Sequence, residues 1–220
     1  MKVGIDSFAC SGGRSGVGIY LYQLLKNFPR DRGSLELFGW EFDRYAYSEA
    51  AEDIPYMAQG ARSGTLSNSL WHIIKYPDFV RRQGYDVAFF PAADRRLPRR
   101  SPCPSIGTVH DMAAYCGPRA NRAHLGALLR LVFPDSLRHL STVIAVSQWV
   151  KKELVEVARV EASKIHVIPN GIDRSAFYPR PRGDEKVLLI QPFSFRRPYV
   201  LYAARLDHPV KNHVRLIDAF

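Results

Sequence analysis

The chain has 220 residues, 46% of them hydrophobic and 24% charged, which is the composition of a globular protein and excludes a disordered or fibrous one. Its formal net charge of +10 indicates an anionic partner, whether a nucleotide, a lipid headgroup or a nucleic acid. The longest apolar runs, such as 142–146 and 187–190, are far shorter than the roughly 20 residues needed to cross a bilayer.

At the N-terminus, Asp6 stands where a signal peptide would continue its apolar core, so residues 2–6 are interpreted as a first strand of a cytoplasmic protein. Cys10, Cys103 and Cys116 are odd in number and lack the spacing of metal ligands. We therefore expect reduced thiols, no disulfide framework and no metal site.

Strand and helix signals alternate along the first part of the chain. The clearest helix begins near Gly16 and ends before Pro29, and a second has Ser147 as its N-cap and buries Val150, Leu154 and Val157. The strands are predicted at 2–6, 35–40, 87–90, 105–109, 142–146 and 164–168. This alternation predicts an α/β fold, a Rossmann-like parallel sheet with helices on both faces.

The later part of the chain predicts a change of domain. Residues 1–173 are interpreted as the first domain, and the Pro- and Arg-rich residues 174–198 as a linker that contains a short strand at 187–190. Residues 199–220 then give a strand, a loop and a helix, the start of a second domain. A helix at 121–139, divided at Pro134, is also predicted, whereas 41–69 shows no readable pattern.

A glycine-rich segment, residues 11–18, links the first strand to the first helix. Gly13, Gly16 and Gly18 would let a ligand approach the backbone and the free amides of a helix N-terminus, although a plain flexible turn has the same composition. The segment matches neither the dinucleotide fingerprint nor the P-loop, which counts against NAD and ATP.

Polar residues follow three further strands, at the edge where open α/β sheets bind ligands. His110 and Asp111 follow the fourth predicted strand, Ser147 the fifth, and Asn170-Gly171 the sixth. Each also has a structural interpretation: a histidine bonded to a carbonyl, an N-cap, and a turn.

Two groups of cations complete the candidate residues. Arg205 and Lys211, six positions apart before a helix, are placed as if to hold a phosphate. The second group forms basic clusters in and before a Pro-rich loop, which in most proteins are solvated surface. Its members are Arg81, Arg82, Arg95, Arg96, Arg99 and Arg100.

These motifs, in this order, resemble the retaining glycosyltransferases of group 1, family 4, which have the GT-B fold. The resemblance rests on the glycine-rich loop, Val-His-Asp at 109–111, Val-Ser-Gln at 146–148, Ile-Pro-Asn-Gly-Ile-Asp at 168–173, and the pair Arg205 and Lys211. It implies transfer of a sugar from a nucleoside diphosphate to a polysaccharide or lipid-linked acceptor, with retention and without a cofactor or metal.

The resemblance also assigns roles to residues. His110, Arg205 and Lys211 would be catalytic. Donor or acceptor binding would involve Gly13, Gly16, Gly18, Asp111, Ser147, Asn170 and Gly171. Arg95, Arg96, Arg99 and Arg100 would bind an acceptor or the anionic inner face of the membrane, as expected for a peripheral enzyme of cell envelope polysaccharide biosynthesis. Most of the second domain would be missing, and the 220 residues alone are expected to be inactive.

Two alternatives from other classes are weighed against this interpretation. A non-catalytic Rossmann-like domain could bind an anionic acceptor, a membrane surface or a partner subunit with the same basic residues. A nicotinamide oxidoreductase is disfavoured, because the fingerprint and an acidic residue at the end of the second strand are absent from the sequence. Nucleic-acid binding has no accompanying motif.

Overall fold

The computed structural model describes residues 1–60, 70–116, 133–179, 200–206 and 211–220. It divides the chain into two compact units, Met1–Asn170 and Gly171–Phe220, which are considered separately below. No helix among these described residues is both long and apolar enough to span a membrane.

The described part of the first unit is built on one seven-stranded sheet in which all neighbouring strands are parallel. The strands are β1 (Lys2–Asp6), β2 (Ser34–Gly39), β3 (Tyr56–Ala58), β4 (Val87–Phe90), β5 (Ser105–Val109), β6 (Thr142–Ala145) and β7 (Ile165–Val167). Their order across the sheet is β3-β2-β1-β4-β5-β6-β7. The predicted fold class, a Rossmann-like parallel sheet, is confirmed.

Helices connect the strands. They are α1 (Gly16–Asn27), α2 (Tyr76–Gln83), α3 (Ala113–Cys116) and α4 (Gln148–Glu156), with a further helical segment at 133–139. A π-helical turn, Trp71–Lys75, runs directly into α2. Short 3-10 turns occupy Ser11–Gly13, Arg30–Arg32, Glu41–Tyr47 and Ala162–Lys164.

The sheet is covered on both faces, as its strand sequences require. Consecutive strand residues point to opposite sides, so Leu37 packs in one hydrophobic cluster and Phe38 in another. Phe89 and Phe90 divide between the same two clusters. Strands buried on both sides have continuous apolar runs, which is why these were recognisable in the sequence.

Several details differ from the prediction. Val157 was expected to be buried, but it is exposed because α4 ends at Glu156 and Val157 is the C-cap residue. The edge strand β3 lies within 41–69, where no pattern was readable. The predicted division of a helix at Pro134 cannot be followed, because 117–132 lie outside the described residues, but 133–139 are helical through Pro134.

The second unit contains a helix, α5 (His213–Ala219), preceded by Asn212 in the left-handed region at φ 52°. The strand predicted just before it is wrong, since residues 200–206 have no regular secondary structure. A strand forms by pairing with a neighbour, and the described residues of this unit offer none. Residues 180–199, which include most of the predicted linker and the predicted strand 187–190, lie outside the described residues.

Candidate active site

The sheet has a crevice where its strand order reverses. From β1 the chain passes to β2 on one side and later to β4 on the other. Because all the strands are parallel, the loops that follow β1, β4, β5, β6 and β7 leave from one carboxyl edge. Ligands of open α/β sheets bind outside this edge, at the switch point.

The glycine-rich loop after β1 is held in shape by its own hydrogen bonds. Ser15 is the N-cap of α1: its Oγ accepts from the Gly18 amide at 3.1 Å and donates to the Cys10 carbonyl at 3.3 Å. Gly18 is buried, and a Cβ there would stand 2.6 Å from both the Cys10 oxygen and the Gly13 Cα. Gly18 is therefore needed for close packing of the helix on the loop.

The other two predicted glycines differ from Gly18 and from each other. Gly13 adopts φ +75°, a conformation that favours glycine. Gly16, the first residue of α1, is exposed, and a Cβ there would meet nothing within 4 Å. The amides of the first helical turn lack intrahelical partners, so the open space at Gly16 suits an anion.

His110 lies beside α1 with a fixed ring. A carbonyl can only accept, so Nε2 carries the proton that it shares with the Pro91 oxygen at 2.8 Å. The Tyr20 ring stands edge-on to the imidazole at 4.9 Å between centroids, and the Tyr20 hydroxyl bonds the Thr108 hydroxyl at 3.2 Å. The sequence also allowed a structural role for His110, a hydrogen bond to a carbonyl, and the structure shows this bond. The bond uses Nε2 and leaves Nδ1 for a ligand.

Asp94, in the loop after β4, was not identified from the sequence. It is buried, and Oδ1 accepts from the His110 amide at 3.3 Å. Burial raises the pKa of this carboxyl, while the nearby His110 opposes the rise. One feature of the sequence could have identified Asp94: it lies just beyond a strand that borders the switch point.

Asp111 and Ser147 each accept a hydrogen bond from a backbone amide close by in sequence. Asp111 Oδ1 accepts from the Ala113 amide at 3.0 Å, at the start of α3. Ser147 Oγ accepts from the Val150 amide at 3.2 Å as the N-cap of α4. A capping hydroxyl keeps its proton, so Ser147 can still donate to a ligand.

The remaining predicted residues lie at or beyond the boundary of the two units. Asn170 is exposed at the end of the first unit, and Gly171 is the first residue of the second. Arg205 is exposed and Lys211 half-buried within the second unit.

The four candidate arginines after β4 do not form one surface. Arg95 donates to the Ala9 carbonyl at 3.2 Å and to the Ser11 hydroxyl at 3.4 Å, and thereby ties two loops together. Arg96 is half-buried; burial lowers its pKa, and nearby Asp6 opposes this. Arg99 and Arg100 are exposed, and Arg99 donates to Asp135 Oδ2 at 3.2 Å rather than to the glycine-rich loop.

The family model for Glycosyltransferase Family 4 matches residues 14–176. The chain belongs to this family. The match begins within the glycine-rich loop and takes in His110, Ser147 and Asn170. No match is found among curated proteins.

Solved structures share the fold of this family 4 chain. One is the Anabaena protein Alr3699/HepE in complex with UDP and glucose, with a TM-score of 0.53 and 21% identity over 82% of this chain and 47% of that one. Another is the glycotransferase of kitacinnamycin, with a TM-score of 0.50 and 12% identity over 84% of this chain and 56% of that one. The chain thus spans about half the length of the structures that it matches.

One further acidic residue of this family 4 chain lies near the glycine-rich loop. Asp43, in the turn after β2, is 3% exposed. Burial raises its pKa from 3.8 to about 6. Desolvation of the ionised Asp43 carboxylate therefore destabilises the folded state at neutral pH.

We expect Asp43→Asn to raise the melting temperature more at about pH 7 than at about pH 4. Between pH 3.8 and about 6 the folded protein holds the Asp43 proton more tightly than the unfolded chain does, so stability falls as the pH rises through this range. The asparagine variant lacks this titration. Thermal unfolding at both pH values tests the expectation, and an equal shift at both would contradict it.

Proposed function

We propose that this protein transfers a sugar from a nucleoside-diphosphate sugar to a hydroxyl of a polysaccharide or lipid-linked acceptor, with retention of configuration. The observation that carries the proposal is the family match across 14–176, which contains the residues of the carboxyl edge. The complex of a structural neighbour with UDP and glucose supports a uridine nucleotide as the first donor to test.

In this proposal the glycine-rich loop receives the donor. The N-terminus of α1, where the exposed Gly16 borders open space, offers backbone amides to the diphosphate. His110, whose ring is fixed by Pro91 and Tyr20, offers Nδ1 to a sugar hydroxyl near the reacting carbon. Asp94 acts through His110, because it accepts from the His110 amide and so positions the loop.

The chemistry breaks the bond between the sugar and the diphosphate and forms a bond from the sugar to the acceptor oxygen. The acceptor loses its proton, and the diphosphate leaves as an anion. Arg205 and Lys211 would stabilise the charge that builds on this leaving group, in the manner of preorganised electrostatic contacts. No metal is needed in this proposal, since these two cations supply the positive charge.

Alanine substitutions at Gly16 and Gly18 separate ligand binding from folding. Gly16→Ala adds a methyl group to open space, so we expect the unfolding free energy to change by less than about 0.5 kcal/mol. The same methyl group occupies space that the donor needs, and the affinity for UDP should fall about 10-fold or more. Calorimetric titration with UDP, followed by other nucleoside diphosphates, measures this.

Gly18→Ala is the matched control for folding. Its Cβ would overlap backbone atoms of Cys10 and Gly13, which cannot easily move, so a loss of about 1–3 kcal/mol of stability is expected. Unchanged nucleotide affinity in a folded Gly16→Ala protein would remove the glycine-rich loop from the donor site.

A further inference from the structure

The loop that follows β4 stands between the two parts of the candidate active site. Strand β4 pairs with β1 on one side and with β5 on the other. The loop therefore leaves the sheet between the glycine-rich loop, which follows β1, and His110, which follows β5. We call residues 91–96 the β4 loop. It borders the crevice where the strand order reverses.

The β4 loop holds His110 on one side. The Pro91 carbonyl accepts from His110 Nε2 at 2.8 Å, and Asp94 Oδ1 accepts from the His110 amide at 3.3 Å. The Ala93 amide donates to the Thr108 carbonyl at 2.9 Å, just before His110 in the chain. Both the ring and the backbone of His110 are thus fixed to this loop.

Arg95 connects the β4 loop to the glycine-rich loop on the other side. One nitrogen, Nη1, donates to the Ala9 carbonyl at 3.2 Å and to the Ser11 hydroxyl at 3.4 Å. Ser11 has φ 54°, a left-handed conformation that is unfavourable for most side chains. Such a conformation persists only where surrounding contacts maintain it, and Arg95 supplies one of them.

We propose that Arg95 is a positioning residue of the candidate active site, which sets the distance between the glycine-rich loop and His110. The inference rests on the proposed function, in which the loop receives the donor diphosphate and His110 meets the donor sugar. Because both groups belong to one molecule, the separation of the two loops must match it. A misplacement of about 1 Å at such a site can cost about 10²-fold in rate. Arg95 acts through the two loops and does not contact the donor.

The first test needs no ligand. Amide hydrogen exchange, followed by NMR on the 220-residue chain, measures how often each loop opens. The reporters are the Gly13 amide, which bonds the Cys10 carbonyl, and the His110 amide, which bonds Asp94. In R95Q we expect both amides to exchange about 10-fold faster or more, because the two loops lose the link between them.

The variant R95K should restore the protection of both amides to within about 3-fold of the parent chain. A single arginine nitrogen makes both bonds to the glycine-rich loop, and a lysine ammonium has enough protons to make the same two. This rescue distinguishes a specific link from a general effect of substitution at the surface.

Arg30 provides the matched control. The side chains of Arg30 and Arg95 are 39% and 42% exposed. Arg30 also links two segments, because it donates to the Leu25 carbonyl at 3.0 Å and to the Ala50 carbonyl at 3.3 Å, but it lies beyond the C-terminal end of α1. R30Q should lower the melting temperature about as much as R95Q does, yet leave exchange of the two reporter amides within about 3-fold of the parent chain.

Titration with UDP and with UDP-glucose separates this inference from the proposed function. UDP reaches the glycine-rich loop alone, so its affinity for R95Q should stay within about 3-fold of that for the parent chain. UDP-glucose reaches both loops, so its affinity relative to UDP should fall about 10-fold in R95Q. If the parent chain binds neither nucleotide, the proposed donor site fails, and the exchange measurement still decides the role of Arg95.

Three results would overturn the inference. The first is unchanged exchange of both reporter amides in folded R95Q, and the second is the same acceleration in R30Q. The third is a large loss of UDP affinity in R95Q with normal exchange, which would make Arg95 a direct ligand of the anion. Circular dichroism confirms that each variant is folded.

Discussion

Replacing Asp6 by alanine is expected to remove about 3–5 kcal/mol of unfolding free energy. Asp6 ends β1, where its carboxylate accepts from the Phe8 amide at 2.8 Å and lies 2.6 Å from His72 Nε2. Both side chains of this pair are almost fully buried. Removing the carboxylate leaves a buried imidazole and a buried amide without the group that they bind, which costs more than the pair contributes when intact.

Urea denaturation of the chain measures this loss, and Asp78→Ala is the matched control. Asp78 lies 3.0 Å from Arg81, but both side chains of this ion pair are exposed. Exposed pairs contribute about 0–1 kcal/mol, so the control should be nearly neutral. If both substitutions cost the same, the pair of Asp6 and His72 does not anchor the π-helical turn.

The same pair explains why part of the fold could not be predicted. His72 is 66 positions from Asp6, and nothing in the local sequence shows that they meet. Strands β1, β4 and β5 were predicted because strands buried on both faces have apolar runs. Strand β3 is a three-residue edge strand with half-buried residues, so it lacks that signal.

Part of the candidate site could be predicted from the positions of the strands. Loops that follow parallel strands must meet at one edge, so the positions of Gly16, His110 and Ser147 could be inferred from strand ends alone. Asp43 and Asp94 were missed, because their burial depends on how distant segments pack. The differing roles of Gly16 and Gly18 also required the structure, since only the neighbouring atoms distinguish them.

The basic clusters show the limits of charge patterns. In sequence, Arg95 and Arg99 stand four positions apart in one Pro-rich loop and were assigned one role. In the structure, Arg95 donates to a backbone carbonyl of the loop after β1, whereas Arg99 donates to the Asp135 carboxylate.

Under the proposed function, Lys211→Ala is expected to lower the kcat of sugar transfer about 10²-fold or more while changing donor affinity less. Charge builds on the diphosphate only as the glycosidic bond breaks, so a cation facing it contributes mainly to the transition state. The backbone at this position is held in place by Tyr202. The Tyr202 hydroxyl donates to the Lys211 carbonyl at 2.8 Å, and the Tyr202 and His213 rings pack with their centroids 5.2 Å apart.

Arg215, an exposed residue of α5, provides the control. Arg215→Ala removes a positive charge four residues further on, in the helix that follows Lys211, so it should leave kcat within about 3-fold of the unsubstituted protein if position rather than net charge matters. Steady-state kinetics with varied donor separates kcat from KM for both variants. A normal kcat in folded Lys211→Ala would make Lys211 an ordinary solvated residue before a helix, and the proposed leaving-group contact would then rest on Arg205 alone.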